Sequence, residues 1–279
     1  MPLTSPRFRR EPELIAVAAG QAVLRRGSRG RPVHLVQMAL LDLGHALPIS
    51  TASTEYSPDG RYGAETENAV LAFQRSVPGL FPDGAVGRMT MRALDRSHPK
   101  FTHRVNLHVR VLSNTKVPVP LMLSNTGRAY APYGIEVRLM SGVSLGLSEA
   151  DQERFSIIDD RGCHWEVNEG ELADLHRLGP PFPPSDVGVF VVSMFENDGQ
   201  GGCGAHAADR PACAVSWIAR PWDLAHELCH VLLTRSFIPT HTSDTRNLMH
   251  PTSNHALTPP TLTEKQLAKI RSSRLCHPV

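Results

Sequence analysis

The sequence predicts an α+β protein in two parts: a small domain of roughly three helices, then a larger domain in which strands and helices interleave. Three observations predict it. Residues 22–94 contain an internal repeat with helical periodicity between its copies. From residue 105 onward, alternating and continuous apolar runs replace that pattern. Further on, an apolar helix carries His226-Glu227-Leu228-Cys229-His230.

The elements follow in order. Residues 1–20 read as a tail; the apolar run Leu14–Ala19 within it, after Glu11-Pro12-Glu13, is too short for a secretory signal and ends at Gly20-Gln21. A first helix is expected from about Pro32 to Leu43, with Val33, Val36, Leu40 and Leu43 inward and Gly44 at its C-cap. The repeat is Asp59-Gly60, then Gly63 and Thr66, matched by Asp83-Gly84, then Gly87 and Thr90. Each copy reads as a turn, a second turn glycine and a threonine able to cap a helix. Ala69, Val70 and Phe73 share one helical face after the first copy. The small domain therefore spans 21–97, a linker 98–104, and the larger domain 105–279.

Within the larger domain, Val105, Leu107, Val109 and Val111 alternate as a strand. Leu121 to Tyr133 suits a helix, and Ile135 to Leu139 a second strand. Val187 to Val192 is continuously apolar, as in a strand buried on both faces. Ala212 to Trp217 is a further short strand. The helix Trp222–Leu233 follows it, and a last helix, Glu264–Arg271, packs through Leu267 and Ile270.

The bulk numbers exclude several classes. With 29 basic and 27 acidic side chains and a net charge of +2, nothing suggests nucleic-acid binding. The local basic run Arg25, Arg26, Arg29 and Arg31 reads as a solvated domain edge. No stretch reaches the roughly 18–20 apolar residues of a membrane span. No secretory signal is evident, which leaves a cytoplasmic protein or one exported by a non-standard route. Of five cysteines, Cys203 and Cys213 bracket a loop and could pair; free buried thiols are the equal alternative. Gly142-Val-Ser144-Leu-Gly146 matches a nucleophile-elbow pattern, but Gly146 and Ser148 read as a turn where that motif needs a helix.

His226 and His230 stand four apart, so both imidazoles leave one face of a helix, one turn apart. That supplies two nitrogen ligands to a tetrahedral zinc ion, and Glu227 can reach a metal-bound water without ligating. Glu227 would act as general base and then general acid. A third protein ligand is needed, and His241, Asp244, His250 and His255 are downstream candidates.

Two resemblances refine these readings. Leu24-Arg25-Arg26-Gly27, Val36-Gln37, Leu43-Gly44, Asp59-Gly60-Arg61-Tyr62-Gly63, Ala69-Val70-x-x-Phe73-Gln74 and Asp83-Gly84-x-x-Gly87 resemble the peptidoglycan-binding-like domain of many bacterial wall enzymes. The same fold serves as a propeptide in matrix metalloproteases, so wall binding and a structural or regulatory role both stay open. The segment His241-Thr-Ser-Asp244 through Leu248-Met249-His250-Pro251 resembles the stretch of matrixin-type metzincins that carries the third zinc histidine and, eight residues on, the methionine beneath the metal. The resemblance implies a metzincin-like zinc peptidase domain with a mixed, twisted β-sheet. It implies His241 as third ligand and Met249 as the Met-turn residue. It makes Ala212–Trp217 the sheet edge above the cleft, with Ala214, Val215 and Ser216 pairing with an extended substrate; His250, after the Met-turn, is either a residue of the pocket or a surface imidazole. The Gly-rich stretch Gly199–Gly204 would be a mobile rim or a plain connection.

Two departures matter. The family places the third histidine six residues after the second, with a glycine three after it; here the distance is eleven, and Leu233 holds the glycine position. The connecting region Asp95–Arg104 has no cysteine to block a metal, although His98 and His103 lie in it. The function expected is a zinc-dependent endopeptidase with one catalytic Zn2+, acting on a protein or peptide. The alternatives are a peptidoglycan-directed peptidase and a non-catalytic binding protein.

Overall fold

The computed structural model describes residues 2–5, 7–52, 58–97, 101–112, 119–161, 163, 167–197, 199–251 and 259–279. Two compact units divide the chain: residues 1–101 with 131–134, and residues 102–130 with 135–279.

The first unit contains α1 (Pro12–Ala19), α2 (Arg31–Asp42), α3 (Pro48–Ala52), α4 (Ala64–Ser76) and α5 (Arg88–Ser97). The segment expected as a tail is part of its core. Leu3, Phe8, Leu14 and Val17 are buried among Val33, Leu40, Val70 and Met91. Proline opens α1, and Gly20 closes it in the left-handed conformation. The backbone N–H groups of Thr4 and Ser5 donate to the Asp95 carboxylate at 2.9 and 2.7 Å. Arg7 pairs with Asp42 at 2.6 Å. The sequence hides this role because α1 is too short for clear periodicity, and Leu3 and Phe8 belong to no regular element. Phe8→Ala should therefore lower the stability of this unit by about 3–5 kcal/mol, the cost of truncating a buried aromatic. Denaturant unfolding of the variant beside wild type checks this; an unchanged midpoint would restore the tail.

The repeat has a physical cause different from the expected cap. Thr66 lies inside α4, whose N-cap is Gly63. Its hydroxyl accepts from Gln37 Nε2 at 3.0 Å. The same amide donates to Asp59 Oδ1 and the Arg61 carbonyl, while Gln37 Oε1 accepts from Gly60 N–H. In the second copy Gln74 does the same with Thr90, Asp83, the Ala85 carbonyl and Gly84 N–H. Two buried glutamines each staple one Asp-Gly turn to the helix after it, and every amide atom that binds the turn is satisfied.

The second unit is built on a mixed sheet, as expected. Its elements are β1 (His103–Val111), α6 (Val119–Tyr130), β2 (Ile135–Ser144), α7 (Glu149–Arg154), β3 (Ile157–Ile158), α8 (Glu171–Leu175), β4 (Val187–Val191), β5 (Met194–Phe195), β6 (Gly202–Cys203), β7 (Ala212–Val215), α9 (Asp223–Leu233), α10 (Glu264–Arg271) and β8 (His277–Pro278). The main sheet runs β2-β1-β4-β7-β6, with β8 also on β1. β1, β2, β4 and β7 are mutually parallel, and β6 is antiparallel to β7. β4 is buried throughout, which its unbroken apolar run predicts. A separate parallel pair joins β3 and β5. Ser144 ends β2, and the next helix waits for the Ser148 N-cap, so no elbow forms.

One expectation is overturned here. β7 is interior to the sheet, paired with β4 on one side and β6 on the other. Ala214, Val215 and Ser216 are buried and have no open edge to offer a substrate. The sheet ends at β6 instead. The bridge is also different: Cys163 pairs with Cys203 across 40 residues, while Cys213 is a free buried thiol inside β7. Closing a loop of that length is worth about 4 kcal/mol in the chain-entropy account.

Candidate metal centre

The helix α9 packs its apolar side, Leu224, Leu228, Val231 and Leu232, into the core. The opposite face presents His226 and His230. Helix geometry alone brings those two together; His241 arrives by a longer path. α9 continues through Leu233, and the turn falls at Thr234, at φ 62° and ψ 167°. Glycine favours that region, and a β-branched residue there is strained. The chain thus reverses one residue later than the family pattern, and the segment after it, with a cis Ile238–Pro239 peptide, returns His241 to the helix.

The three Nε2 atoms form a nearly equilateral triangle. His226 and His230 are 3.1 Å apart, His230 and His241 3.1 Å, and His226 and His241 3.3 Å. Ligands about 2.0–2.1 Å from a tetrahedral zinc stand about 3.3–3.4 Å from each other, so the triangle fits that ion closely. The other ring nitrogen of His226 lies 2.7 Å from the Leu248 carbonyl. A carbonyl only accepts, so Nδ1 carries the proton and Nε2 keeps its lone pair for a metal. Burial lowers the pKa of His226 to about 4, aided by His241 and His250 and opposed by the Leu248 bond. Burial, then His226 and His241, lowers that of His230 to about 2. Both are neutral near pH 7, as metal ligation requires.

Asp244 is not in this cluster. It is exposed and accepts from the Arg246 N–H at 3.0 Å. His103 opens β1 and is also outside it; His98 and His255 lie outside the described residues. His250 is half-buried and is not among the described residues that line the cleft, so the expected place in the pocket does not hold for it. His206 lines the cleft and bonds through Nδ1 to the Ala207 carbonyl.

Met249 is fully buried in a turn whose support the sequence did not reveal. Asn247 and Gln266 exchange two amide hydrogen bonds at 2.9 and 3.0 Å, both side chains buried. Asn247 Oδ1 also accepts from Met249 N–H at 2.9 Å. Gln266 is held in turn by the Thr263 capping box that starts α10. The capping pattern Thr263-x-x-Gln266 was the available signal.

Glu227 is buried, and its pKa is raised well above the usual carboxyl range, by burial first and then by the Asp223 carboxylate. The Gly204 N–H donates to it and opposes the rise. Three glycines of the Gly-rich stretch pack closely against α9. A Cβ on Gly201 would collide with Asp223. One on Gly202 would lie 2.5 Å from Glu227 Cγ, and one on Gly204 2.5 Å from His230 Cβ. Residues 223, 227 and 230 share one face of α9, and β6 presses on it at a distance only glycine allows. Cys229 faces away, buried, with its thiol pushed up to about 12 by burial. It is packed, not nucleophilic.

Residues 29–94 match the family described as "Putative peptidoglycan binding domain". No curated protein matches the chain. Among solved structures, a peptidoglycan-binding protein from Clostridioides difficile, in complex with glutamine hydroxamate, is 33% identical over 27% of this chain and 41% of its own, with a TM-score of 0.23. Metalloproteinase-II from Bacteroides fragilis is 11% identical over 62% of this chain and 54% of its own, with a TM-score of 0.39. Archaemetzincin from Methanopyrus kandleri is 15% identical over 61% and 88%, with a TM-score of 0.32. At such TM-scores these likenesses carry nothing further about this chain. Among the described residues, no helix is long and apolar enough to cross a membrane.

Proposed function

We propose that the second unit is a zinc-dependent endopeptidase. The observation that carries this reading is the triangle of three Nε2 atoms, with Glu227 on the same helix one residue after the first ligand. His226, His230 and His241 would hold the ion. A zinc ion held there would supply a bound water with its pKa lowered to about 7. Glu227 takes a proton on its carboxylate and returns it to the leaving amine. Burial makes it a stronger base than a solvated glutamate. The Gly204 N–H fixes the carboxylate's position.

The match at 29–94 favours a second reading, a peptidase directed at the peptides of peptidoglycan and held there by the first unit. The Cys163–Cys203 bridge suits an oxidising compartment such as the cell envelope. Incubating the purified chain with casein and with isolated sacculi, with and without a chelator, separates the readings. Chelator-sensitive casein cleavage supports the first, and release of peptides from sacculi alone supports the second. Turnover of neither in zinc-loaded protein leaves a non-catalytic binding protein.

Gly204→Ala gives an independent test of the close approach. Overpacking should cost about 1–3 kcal/mol of stability. At a temperature where the variant is still folded, kcat/KM should fall on the order of 100-fold, because an ångström of misplacement at Glu227 or His230 is enough. Wild-type kcat/KM in the folded variant would remove Gly204 from the site.

A further inference from the structure

We propose that the Cys163–Cys203 disulfide is a redox switch for the centre: a dithiol that reduces it releases β6 from α9, and reoxidation seats β6 again. This rests on the endopeptidase reading and adds its regulation. The bond ends beside the chemistry. Cys203 is the second residue of β6 and stands between Gly202 and Gly204. A Cβ on Gly202 would lie 2.5 Å from Glu227 Cγ, and one on Gly204 2.5 Å from His230 Cβ, so strand and helix are in contact on both sides of the cysteine. The Gly204 N–H also donates to the Glu227 carboxylate. Whatever anchors Cys203 therefore sets this backbone against the general base and one of the three histidines.

Apart from the bond, the strand has few anchors. Four of the six residues from 199 to 204 are glycine, which brings no side chain to a core and has the most backbone freedom to regain. Cys203 supplies the buried side chain of the run, in the cluster that holds Phe155, Ile158 and Phe190. β6 has two register partners, Gly202 with Val215 and Cys203 with Ala214, both on β7. The Ser216 N–H donates to the Gly201 carbonyl and the Gln200 amide to the Gly202 carbonyl; these bonds shape the turn that enters β6. The disulfide ties the strand to the segment after β3. Its far end is reachable, since Cys163 is half-buried and lines the cleft, whereas Cys203 is enclosed. A thiolate of the dithiol attacks the Cys163 sulfur, and Cys203 leaves as a thiolate. The reagent's second thiolate then displaces Cys163. The reagent ends as its own disulfide, two electrons pass to the protein, and the two protons it gives up are matched by the two that Cys163 and Cys203 take.

A plainer account makes the bond a staple that acts only on the unfolded chain. A staple works wherever its ends lie, and its loss lowers the unfolding midpoint without altering the folded site. The placement argues for more. Of the five cysteines, Cys213, Cys229 and Cys276 are buried free thiols, and Cys163 is the one that lines the cleft. A tie cut there slackens a short glycine run at the end of the sheet, and such an opening is local: β2, β1, β4 and β7 keep their pairing. Where thiols are kept reduced β6 is slack, and in an oxidising compartment it is seated.

The test uses the full chain, oxidised or reduced with dithiothreitol in native buffer, freed of reagent and loaded with zinc, at a temperature where circular dichroism reports the oxidised form folded. Free thiols should rise from three to five per chain. Amide hydrogen exchange over residues 199–206 should speed up by about 10-fold or more. On a casein-derived peptide kcat/KM should fall about 10–100-fold, as misplacement of the base predicts. Both readouts return on reoxidation. Cys163→Ser combined with Cys203→Ser should hold the reduced behaviour whatever the reagent, and reduction of wild type carries the test if that variant does not fold. Unchanged exchange and turnover in the reduced, folded chain overturn the switch and leave the staple and the peptidase standing. A thiol count that stays at three, or a reduction that unfolds the whole second unit, overturns it as well. Reversible exchange at β6 with no cleavage by either form does the reverse: the release of β6 stands and the endopeptidase reading falls.

Discussion

Glu227→Gln is expected to keep its metal and lose turnover, by about 10²–10⁴-fold in kcat, the usual contribution of a positioned general acid–base group. Glutamine preserves shape and can still accept from the Gly204 N–H, so the loss isolates the proton-transfer role. The same substitution has a second, opposite consequence for stability. The folded-state pKa of Glu227 lies well above its ordinary value of 4.5. A carboxyl raised in this way contributes stability that is fully present below 4.5 and is lost as pH rises through the folded value. Glutamine has no such loss. In chelator-treated protein the variant should therefore gain on wild type as pH rises from about 4.5 toward 8. The histidines pull the other way in both proteins: His226 and His230 titrate below 6.5 when folded, so stability falls as pH drops through 6.5 toward about 4 and about 2. Comparing the two chains at each pH cancels that shared effect. Denaturant melts across the series, with turnover measured on the metal-loaded proteins, check both arms. Full activity in Glu227→Gln would falsify the general-base role; a stability difference flat with pH would show that Glu227 ionises normally.

Much of this was legible in the sequence, for identifiable reasons. The four-residue spacing of His226 and His230 is a rigid consequence of helix geometry. β4 announced itself by an unbroken apolar run that only a two-sided core tolerates. What failed was non-local. Neither the interior position of β7 nor the choice of Cys163 over Cys213 follows from any neighbouring residue; both depend on β6, a two-residue strand too short to leave a pattern. The Gly201, Gly202 and Gly204 contacts look like loop composition until α9 is laid against them. The role of Thr66 and Thr90 was misread because a threonine near a helix start satisfies the capping rule, and the glutamines that bind them lie 29 and 16 residues away. Leu3 and Phe8 carried no period at all.

The centre's own architecture leads to the second large effect. His241→Ala would remove one of the three nitrogens proposed to hold the ion, whereas Asn247→Ala touches none of them and would act only through the turn. Asn247 holds the Met249 N–H and pairs with Gln266, and the turn's Leu248 carbonyl fixes the tautomer of His226. Partners that orient a ligand in this way typically change metal affinity 10–100-fold. Asn247→Ala should therefore weaken zinc binding about 10–100-fold. His241→Ala should weaken it by more than about 100-fold, since two histidines remain where three converge. Competition with a chromophoric chelator at fixed pH measures both, beside one equivalent of zinc in wild type by elemental analysis. The order is the informative part. If Asn247→Ala matched wild type in affinity while losing stability, the amide pair would be packing alone. Equal, tight zinc in His241→Ala and wild type would mean that the triangle of nitrogens is not the site. Thr234 supplies a control on the long excursion to His241. Glycine takes its backbone angles without strain, so Thr234→Gly relieves the turn. A gain in stability with unchanged zinc affinity would show that the eleven-residue spacing is held by the loop's own packing, and that the strain at Thr234 is the cost of extending α9 through Leu233.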